Sequence, residues 1–315
     1  MRAIGGELEL ERISEDIYFT DSGRSSLRLF LRSEENHKMK YLLPNFFCEV
    51  IENVFIEESI NYSFYNINED LTVDIDLINN SDYDVLYIIN YFGKYIDLSE
   101  INLEDKVLIE DNVFLYNFEN HWNAEKWYAF NSFRKIGSFA DGSLVKTNMK
   151  INSKFILNEE AKFVPLKYKA KEIKYSYIHE KTFSESDYLN KFQLGESILD
   201  EQKSIYSISK KSIYLLTIQD NNQILRVKRF NLLLESFKEY AIMKTSDCYS
   251  FFVMKLKNRD GFRKKLMKEN IFLSVHWPVS TQENDLYESI ISIPLFETYD
   301  DETFNRLMKT IKETL

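Results

Sequence analysis

The sequence predicts an α/β protein built on a three-layer, mostly parallel sheet, followed by a smaller α+β unit. Two segments consist almost wholly of apolar residues, DVLYIIN at residues 84–90 and KVLIED at residues 106–111. Strands without a polar face are typical of parallel sheets that helices cover on both sides. Helical apolar spacing in SSLRLFLRSEE (residues 25–35) and CEVIENVF (residues 48–55) supplies such covering helices.

The remaining elements follow from their local patterns. MKYLLPNFF is a strand that leads into a turn, NYSFYNI and SLVKT are further strands, and residues 185–240 have helical spacing. The last part of the chain contains, in order, the strand CYSFFVMKLK, the helix DGFRKKLMKEN, the extended segment IFLSVHWPV and the helix DDETFNRLMKTIKETL. We therefore predict a large domain over residues 1–205 and a small domain over residues 206–315.

Composition narrows the class of protein. The formal charge of -10 argues against binding to nucleic acid or to an anionic membrane, since both attract a basic surface. Cys48 and Cys248 lie far apart in the sequence, which suits a reducing compartment and supports neither a zinc site nor a disulfide framework. No apolar run approaches the roughly 18 residues of a membrane span. We expect a cytoplasmic protein.

Three polar features should meet at one edge of the predicted sheet, because ligands of parallel α/β sheets bind beyond the carboxyl ends of the strands. They are SGRSS at residues 22–26, Asp111 at the end of a strand, and FNSFRKIGSFADGSLV at residues 130–145. The last segment fits neither a helical nor a strand period. Its basic pair, Arg134 and Lys135, must either reach solvent or meet an anion.

Each feature has a structural and a functional interpretation. In the functional interpretation Gly23 and Ser25 bind a phosphate at the start of a helix. In the structural one Ser22 simply caps that helix. Asp111 follows apolar residues and needs a cationic partner, or it is an exposed acid in a loop. Lys135 supplies an amine nucleophile, or it is a solvated surface residue. Together the features match pyridoxal phosphate (PLP), which requires a Schiff-base lysine, a carboxylate facing the pyridine nitrogen and a phosphate cradle.

The order of these segments resembles the DegT/DnrJ/StrS family of sugar aminotransferases, which are PLP-dependent enzymes of fold type I. In the family's lysine segment a lysine precedes an acidic-glycine pair by six or seven positions, and Lys135 precedes Asp141 and Gly142 by six. The likeness covers most of the chain. The other similar segments are SGRSSLRLFL, LPNFFCEVI, VLYIINYFG, VLIED, IFLSVHWPV and ESIISIPLFETYDDETFNRL, the last two being like a short-chain branch.

The resemblance implies a role for individual residues. Lys135 would carry the cofactor, and Asp111 would face its pyridine nitrogen. Phe46 lies where the family often places an aromatic ring against the cofactor. Arg134 has no secure counterpart, and we consider a phosphate of the cofactor or of the substrate as its partner. The cofactor phosphate would be held by Gly23, Arg24, Ser25 and Ser132.

The chain departs from the family's pattern in three respects. Phe114 stands where the family usually has Gln or His, three residues after the aspartate. Ser143 follows Asp141 and Gly142 where a second glycine is usual, and the chain is shorter than most members. His276 in VHWPV either faces the active site or is a core or interface residue.

The resemblance also implies an activity, namely transfer of an amino group from glutamate to a nucleotide-linked keto sugar by a homodimer. Such reactions belong to amino-sugar or surface-polysaccharide biosynthesis. Some members dehydrate sugars and carry His at the lysine position, so Lys135 favours transfer. The alternatives are a PLP-dependent sugar dehydratase and a degenerate, non-catalytic member. Phe114 and the reduced length favour the degenerate member, whereas Asp111 and Lys135 oppose it.

Overall fold

The computed structural model describes residues 16–33, 35–119, 122, 124–218, 222–277 and 282–315. Its centre is a seven-stranded sheet with the order β1-β7-β6-β5-β4-β2-β3. Of these strands only β7 runs against the direction of the others, which confirms the predicted mostly parallel sheet. The strands are β1 (Asp16–Thr20), β2 (Tyr41–Pro44), β3 (Tyr62–Tyr65), β4 (Val85–Ile89), β5 (Val107–Asp111), β6 (Lys126–Phe130) and β7 (Ser143–Thr147).

The central strands are buried along their whole length, as their apolar sequences predict. Every residue of β4 and β5 is buried, and the two strands pair in parallel from Val85 with Val107 to Ile89 with Asp111. The sequence did not predict β1 or β6. β1 is an edge strand whose residues are mostly exposed, so it lacks the apolar run that identifies a central strand.

Helices cover the sheet at positions close to those predicted. They include α1 (Gly23–Leu31), α2 (Glu49–Glu57) and the short α3 (Ile75–Asn79). α1 packs against β6, where the ring of Phe30 lies 4.9 Å from that of Tyr128 and the Tyr128 hydroxyl donates to the Ser26 carbonyl at 2.6 Å. This packing sets the start of α1 beside the carboxyl ends of the central strands.

The middle of the chain is mainly helical. The predicted helical region from residue 185 is confirmed, but the two-residue strand β9 (Ile205–Tyr206), paired with β8 (Ile156–Leu157), interrupts it. The helices after residue 160 are α4 (Phe163–Tyr175), α5 (Glu185–Glu201), α6 (Lys210–Ile218) and α7 (Gln223–Phe237). α4 was not predicted. It packs against α5 over a small separate core that contains Phe163, Val164 and Leu199.

The C-terminal part forms a second α+β unit, as predicted. β10 (Phe251–Lys255) pairs in antiparallel fashion with β11 (Ile290–Pro294), and the helices are α8 (Arg259–Lys268), α9 (Leu286–Ser289) and α10 (Asp301–Thr314). Alternate residues of β10 face two cores: Phe252 belongs to the small core and Phe251 to the large one. The domain boundary near residue 205 stays a prediction. Among the described residues no helix is both long and apolar enough to cross a membrane.

Candidate active site

A cavity of about 340 Å³ opens at the carboxyl ends of three neighbouring parallel strands. The last residues of β4, β5 and β6, which are Ile89, Asp111 and Phe130, all line it. This is the position at which parallel α/β sheets bind ligands. The structure therefore brings five of the seven predicted site residues to one cavity, namely Gly23, Arg24, Asp111, Ser132 and Lys135.

The start of α1 forms one side of the cavity. Ser22 caps the helix, because its hydroxyl accepts from the Ser25 N–H at 3.2 Å and its carbonyl accepts from the Ser26 N–H at 3.0 Å. A helix leaves its first N–H groups without partners inside the helix, so those of Gly23 and Arg24 remain available to an anion.

Ser25 does not lie where its predicted role requires. The residue is fully buried, and its hydroxyl accepts from Ser22 Oγ at 3.2 Å, so it does not line the cavity. The Arg24 guanidinium donates to Asp200 Oδ1 on α5 at 2.7 Å, and both residues line the cavity. The cap of Ser22 and an anion at Gly23 are compatible, because they use different N–H groups.

Asp111 is a buried carboxylate at the centre of the cavity floor. Its Oδ2 accepts from the Tyr87 hydroxyl at 2.6 Å, and its Oδ1 accepts from the Val113 N–H at 3.0 Å. Burial raises the pKa of Asp111 to about 7 despite these two bonds. No ion pair joins Asp111 to any of the described cations. A cationic ligand at this carboxylate would remove much of the penalty of burial.

Lys135 ends a short 3₁₀ turn, Phe133–Lys135, and lines the wall of the cavity. The side chain is exposed to the cavity, yet protein atoms surround the ammonium group. Loss of water around the ammonium lowers the pKa of Lys135, and the positive charge of the neighbouring Arg134 lowers it further. Within the described part of the chain Lys135 Nζ forms no hydrogen bond or ion pair. Its amine therefore has no protein partner, and it loses its proton more readily than the amine of an ordinary lysine.

The loop that carries Lys135 is closed by the acidic-glycine pair that follows it. The Phe133 N–H donates to the Gly142 carbonyl at 3.0 Å, and the Gly142 N–H donates to the Asp21 carbonyl at 2.7 Å. The Asp141 carboxylate accepts from the Ser209 N–H and Ser209 Oγ, both at 2.7 Å. The six-residue spacing therefore fixes a loop whose two ends are bonded together beside α1.

We expect Gly142→Ala to destabilise the protein. Gly142 has a φ of +109°, and an added Cβ would lie 2.7 Å from Ile208 Cδ1. Strain of this kind costs about 1–3 kcal/mol, which should lower the melting temperature by about 2–6 °C. Calorimetry can measure the change. Gly23→Ala is the matched control, because its Cβ would meet no atom closer than 3.4 Å. Equal melting temperatures for the two variants would contradict the role of Gly142.

The two basic residues of the loop, Arg134 and Lys135, have different environments. Arg134 donates to both carboxylate oxygens of Glu196, at 3.0 and 3.4 Å. Of the two alternatives for the pair, Arg134 thus meets an anion, which is a carboxylate of the protein itself. A phosphate partner for Arg134 stays a prediction. Glu196 and Asp200 lie four residues apart on α5, so they share one helix face and both line the cavity. The sequence did not predict these two residues as part of the site, because nothing local connects α5 with the lysine loop.

Phe46 is placed in the core and does not line the cavity. Its fully buried ring lies 5.0 Å from that of Trp277 and 4.9 Å from that of Tyr287. The Tyr287 hydroxyl accepts from the Phe47 N–H at 2.9 Å and holds this turn against the small domain. The cavity wall at this point consists instead of Cys48 and Trp277, which the sequence did not identify as site residues.

Phe114 and His276 pack against each other in an aromatic cluster. Their ring centroids are 5.3 Å apart, and Phe92 stacks on Phe114 at 5.2 Å. His276 Nδ1 lies 3.0 Å from Ser292 Oγ, and burial lowers the pKa of His276 to about 3. His276 is therefore neutral near pH 7, and of its two predicted settings the structure favours the core.

Comparison with known proteins extends this description. No family model and no curated protein matches the chain. Among solved structures, DesV of S. venezuelae in complex with a ketimine intermediate superposes with a TM-score of 0.64 at 15% identity, over 94% of this chain and 84% of that chain. A DegT DnrJ EryC1 StrS aminotransferase from Brucella abortus superposes with a TM-score of 0.61 at 13% identity, over 94% and 85%.

This chain has the aminotransferase fold type I. A third solved structure agrees: NtdA of Bacillus subtilis with bound cofactor PMP gives a TM-score of 0.62 at 14% identity, over 95% of this chain and 73% of that chain. The resemblance to the DegT/DnrJ/StrS proteins is confirmed at the level of the fold. The superposed residues include both the seven-stranded sheet and the C-terminal α+β unit. Within fold type I, this chain keeps a lysine and an aspartate at one cavity beside a helix start.

Proposed function

We propose that the protein is a PLP-dependent aminotransferase that transfers an amino group from glutamate to a nucleotide-linked keto sugar. One observation carries the proposal. Asp111, buried without a cation, lines the same cavity as the free amine of Lys135 and the open N–H groups of α1. These are the three groups that PLP requires, and they come from three separate segments of the chain.

The residues of the cavity fit PLP on chemical grounds. The carboxylate of Asp111 lacks a cation, and a protonated pyridine nitrogen is a cation of suitable size. The N–H groups of Gly23 and Arg24 suit a phosphate, and the partly accessible Ser132 lies nearby on the cavity wall. Lys135 Nζ has no competing partner among the described residues and could hold the aldehyde carbon. Asp111, Gly23, Arg24, Ser132 and Lys135 are accordingly our proposed cofactor residues.

The chemistry follows from what each side chain can do. PLP, when bound, supplies a sink for the electrons of the amino-bearing carbon. Asp111 would keep the pyridine nitrogen protonated, because a buried carboxylate strongly favours a neighbouring positive charge. Lys135 Nζ, once the donor amine has released it, would move a proton between the donor carbon and the cofactor carbon. Its lowered pKa supports this, since the neutral amine is the form that accepts a proton.

The substrate class is supported by the kind of protein that shares this fold and by local charge. The solved neighbours include an aminotransferase of the DegT DnrJ EryC1 StrS group. The chain carries a formal charge of -10, but Arg24 and Arg134 both reach the cavity wall. A phosphate-bearing acceptor needs such locally concentrated cations. Glutamate as the donor rests on the resemblance alone.

The half-reactions test the proposal directly. Glutamate alone should convert the PLP-loaded protein to its pyridoxamine form, seen as a loss of visible absorbance. After removal of the 2-oxoglutarate, which would reverse the first half-reaction, a nucleotide-linked keto sugar should restore the original spectrum. A spectrum that does not change with any amino acid would exclude amino transfer. It would favour the sugar dehydratase or the non-catalytic member, for which the apolar Phe114 is the supporting observation.

We further propose that the working unit is a homodimer. Large apolar side chains are exposed along α5 to α7, with exposed fractions of 48–85% for Leu189, Leu194, Tyr214, Ile218 and Ile224. Exposed apolar residues concentrated on one series of helices are typical of an interface. Light scattering should give twice the chain mass of 37.6 kDa. A fully active monomer at assay concentration would contradict the dimer.

Both cysteines, Cys48 and Cys248, are unpaired. Free thiols are stable in a reducing compartment, so they support our proposal of a cytoplasmic location. Thiol titration of the freshly isolated protein under denaturing conditions should find both cysteines in the reduced form.

A further inference from the structure

A cluster of cations lies between α4 and α5, behind the part of the cavity wall formed by Arg134 and Glu196. Glu196 accepts from Arg134 at 3.0 Å, and its Oε1 also forms a short ion pair with Lys167. Lys171, one turn further along α4, lies with its ammonium 5.9 Å from the centre of the Phe192 ring. No carboxylate among the described residues forms an ion pair with Lys171. Arg134 and Lys167 thus share one carboxylate, and Arg134 repels the nearby ammonium of Lys171.

The charges of this cluster are out of balance. Burial alone would raise the pKa of Glu196. The positive charges of Arg134 and Lys167 outweigh burial and lower this pKa to about 2. The pKa of Lys167 is nevertheless lowered, to about 7, by burial and by repulsion from Arg134. The two shifts agree with one picture, in which a single carboxylate cannot neutralise the cations around it. Nearby acids are engaged elsewhere: Asp200 pairs with Arg24, and Asp21 bonds to Gln202.

A glycine in α5 leaves space for this cluster. Gly195 lies inside α5, where glycine is disfavoured relative to alanine. A Cβ at Gly195 would lie 2.8 Å from Lys167 Cγ, so a larger residue there would push the Lys167 side chain away from its present path to Glu196. The Lys167 side chain is 4% exposed. A buried lysine that requires a glycine in the facing helix is part of a built site, in contrast to a solvated surface charge.

Glu196 is the exchangeable member of the cluster. Its side chain is 46% exposed, whereas that of Arg134 is 13% exposed, and both line the cavity. A ligand in the cavity therefore meets the carboxylate first, and the carboxylate has solvent into which it can move. Arg134 Nη2 already donates to both oxygens of this carboxylate, and a carboxylate of a ligand could accept the same charge-assisted hydrogen bonds.

We propose that Arg134 and Lys167 form a subsite for a carboxylate group of the acidic amino donor, and that Glu196 occupies this subsite until the donor displaces it. The inference rests on the proposed function, since it assigns the donor's carboxylate to named residues. The exchange conserves the local charge, because one carboxylate replaces another. It also returns the subsite to Glu196 when the keto acid leaves.

Glu196→Gln tests the exchange. Glutarate, an unreactive dicarboxylate, is titrated by calorimetry into the cofactor-free protein. Removing the internal competitor should tighten glutarate binding by about tenfold, the scale of one charge-assisted hydrogen bond. Glu172→Gln is the matched control, because Glu172 is an ion-paired residue of similar exposure on α4 that pairs with Lys211 on the surface. It should leave the Kd of glutarate unchanged.

Arg134→Gln provides the opposite test and should weaken glutarate binding by about tenfold. It decides the matter alone if Glu196→Gln does not fold. An unchanged Kd in either variant, or an equal gain in Glu172→Gln, would overturn the subsite. Inorganic phosphate is titrated in parallel: if Glu196→Gln gains more affinity for phosphate than for glutarate, the ligand group is a phosphate and the carboxylate assignment is wrong. Failure of PLP to attach to Lys135 would affect the proposed function without changing these affinities.

Discussion

Replacing Lys135 with alanine should abolish covalent attachment of PLP and reduce amino transfer by about 10²–10⁴-fold through loss of proton transfer alone. The reason is that Lys135 Nζ is a free amine in the cavity that Asp111 also lines, and no second described lysine lines this cavity. The variant should still bind PLP without a covalent bond, because the groups that hold the phosphate and the pyridine nitrogen remain. Ultrafiltration and steady-state rates measure the two effects.

An added small amine gives the sharpest control for this variant. If Lys135 acts through its nitrogen, methylamine should restore part of the lost rate in Lys135→Ala. Lys154→Ala is the companion variant, since Lys154 is an exposed lysine away from the cavity, and it should keep full activity. A Lys135→Ala protein with near-normal turnover would show that Lys135 is a structural residue of the loop.

Replacing Asp111 with asparagine should reduce amino transfer by about 10²–10³-fold while PLP still binds. An amide is neutral and cannot hold a proton on the pyridine nitrogen as a carboxylate does. The same change should stabilise the cofactor-free protein at neutral pH, because it removes a buried charge. Activity assays and chemical denaturation measure the two opposite effects, and a decrease in both quantities would contradict the assigned role.

The pH dependence of stability gives Asp111 a second test. Its pKa is raised from 3.8 to about 7 in the folded chain, so the folded state holds a proton that the unfolded state has released. Stability of the cofactor-free protein should therefore fall as pH rises from about 4 to about 7, by on the order of 2–4 kcal/mol at most for this group. Asp111→Asn should remove that part of the slope, and bound PLP should do the same.

Glu110 offers the matched control for Asp111. It is the preceding residue of β5, fully buried, and its pKa is also raised to about 7 by burial. It does not line the cavity. Glu110→Gln should therefore flatten the pH dependence of stability as Asp111→Asn does, without weakening PLP or slowing amino transfer. Loss of activity in Glu110→Gln would mean that the effect of Asp111→Asn comes from general damage to the strand.

The parts of the site that could be predicted depend on local sequence. Asp111 was identified because it ends an apolar strand, and the strand does end there at the cavity. Lys135 was identified by its distance from Asp141 and Gly142, and that spacing corresponds to a loop closed by hydrogen bonds. The start of α1 was identified by its glycine and serines. In each case a few adjacent residues determine the geometry.

The parts that were missed depend on distant contacts. The environment of Phe46 is set by Tyr287, which holds the next residue from 240 positions away. The partner of Arg134 is 62 positions further on, in a helix whose sequence carries no mark of the cavity. β1 was missed because an exposed edge strand lacks an apolar run. These contacts are decided by the packing of the whole chain, and short patterns do not encode them.

Chemical trapping shows directly whether Lys135 holds the cofactor. Purified protein is incubated with PLP, reduced with borohydride, digested and examined by mass spectrometry. We expect one equivalent of reduced cofactor per chain, attached to Lys135, and none in the Lys135→Ala protein. Attachment mainly to another lysine, such as the buried Lys167 with its lowered pKa, or no attachment at saturating PLP, would contradict the account.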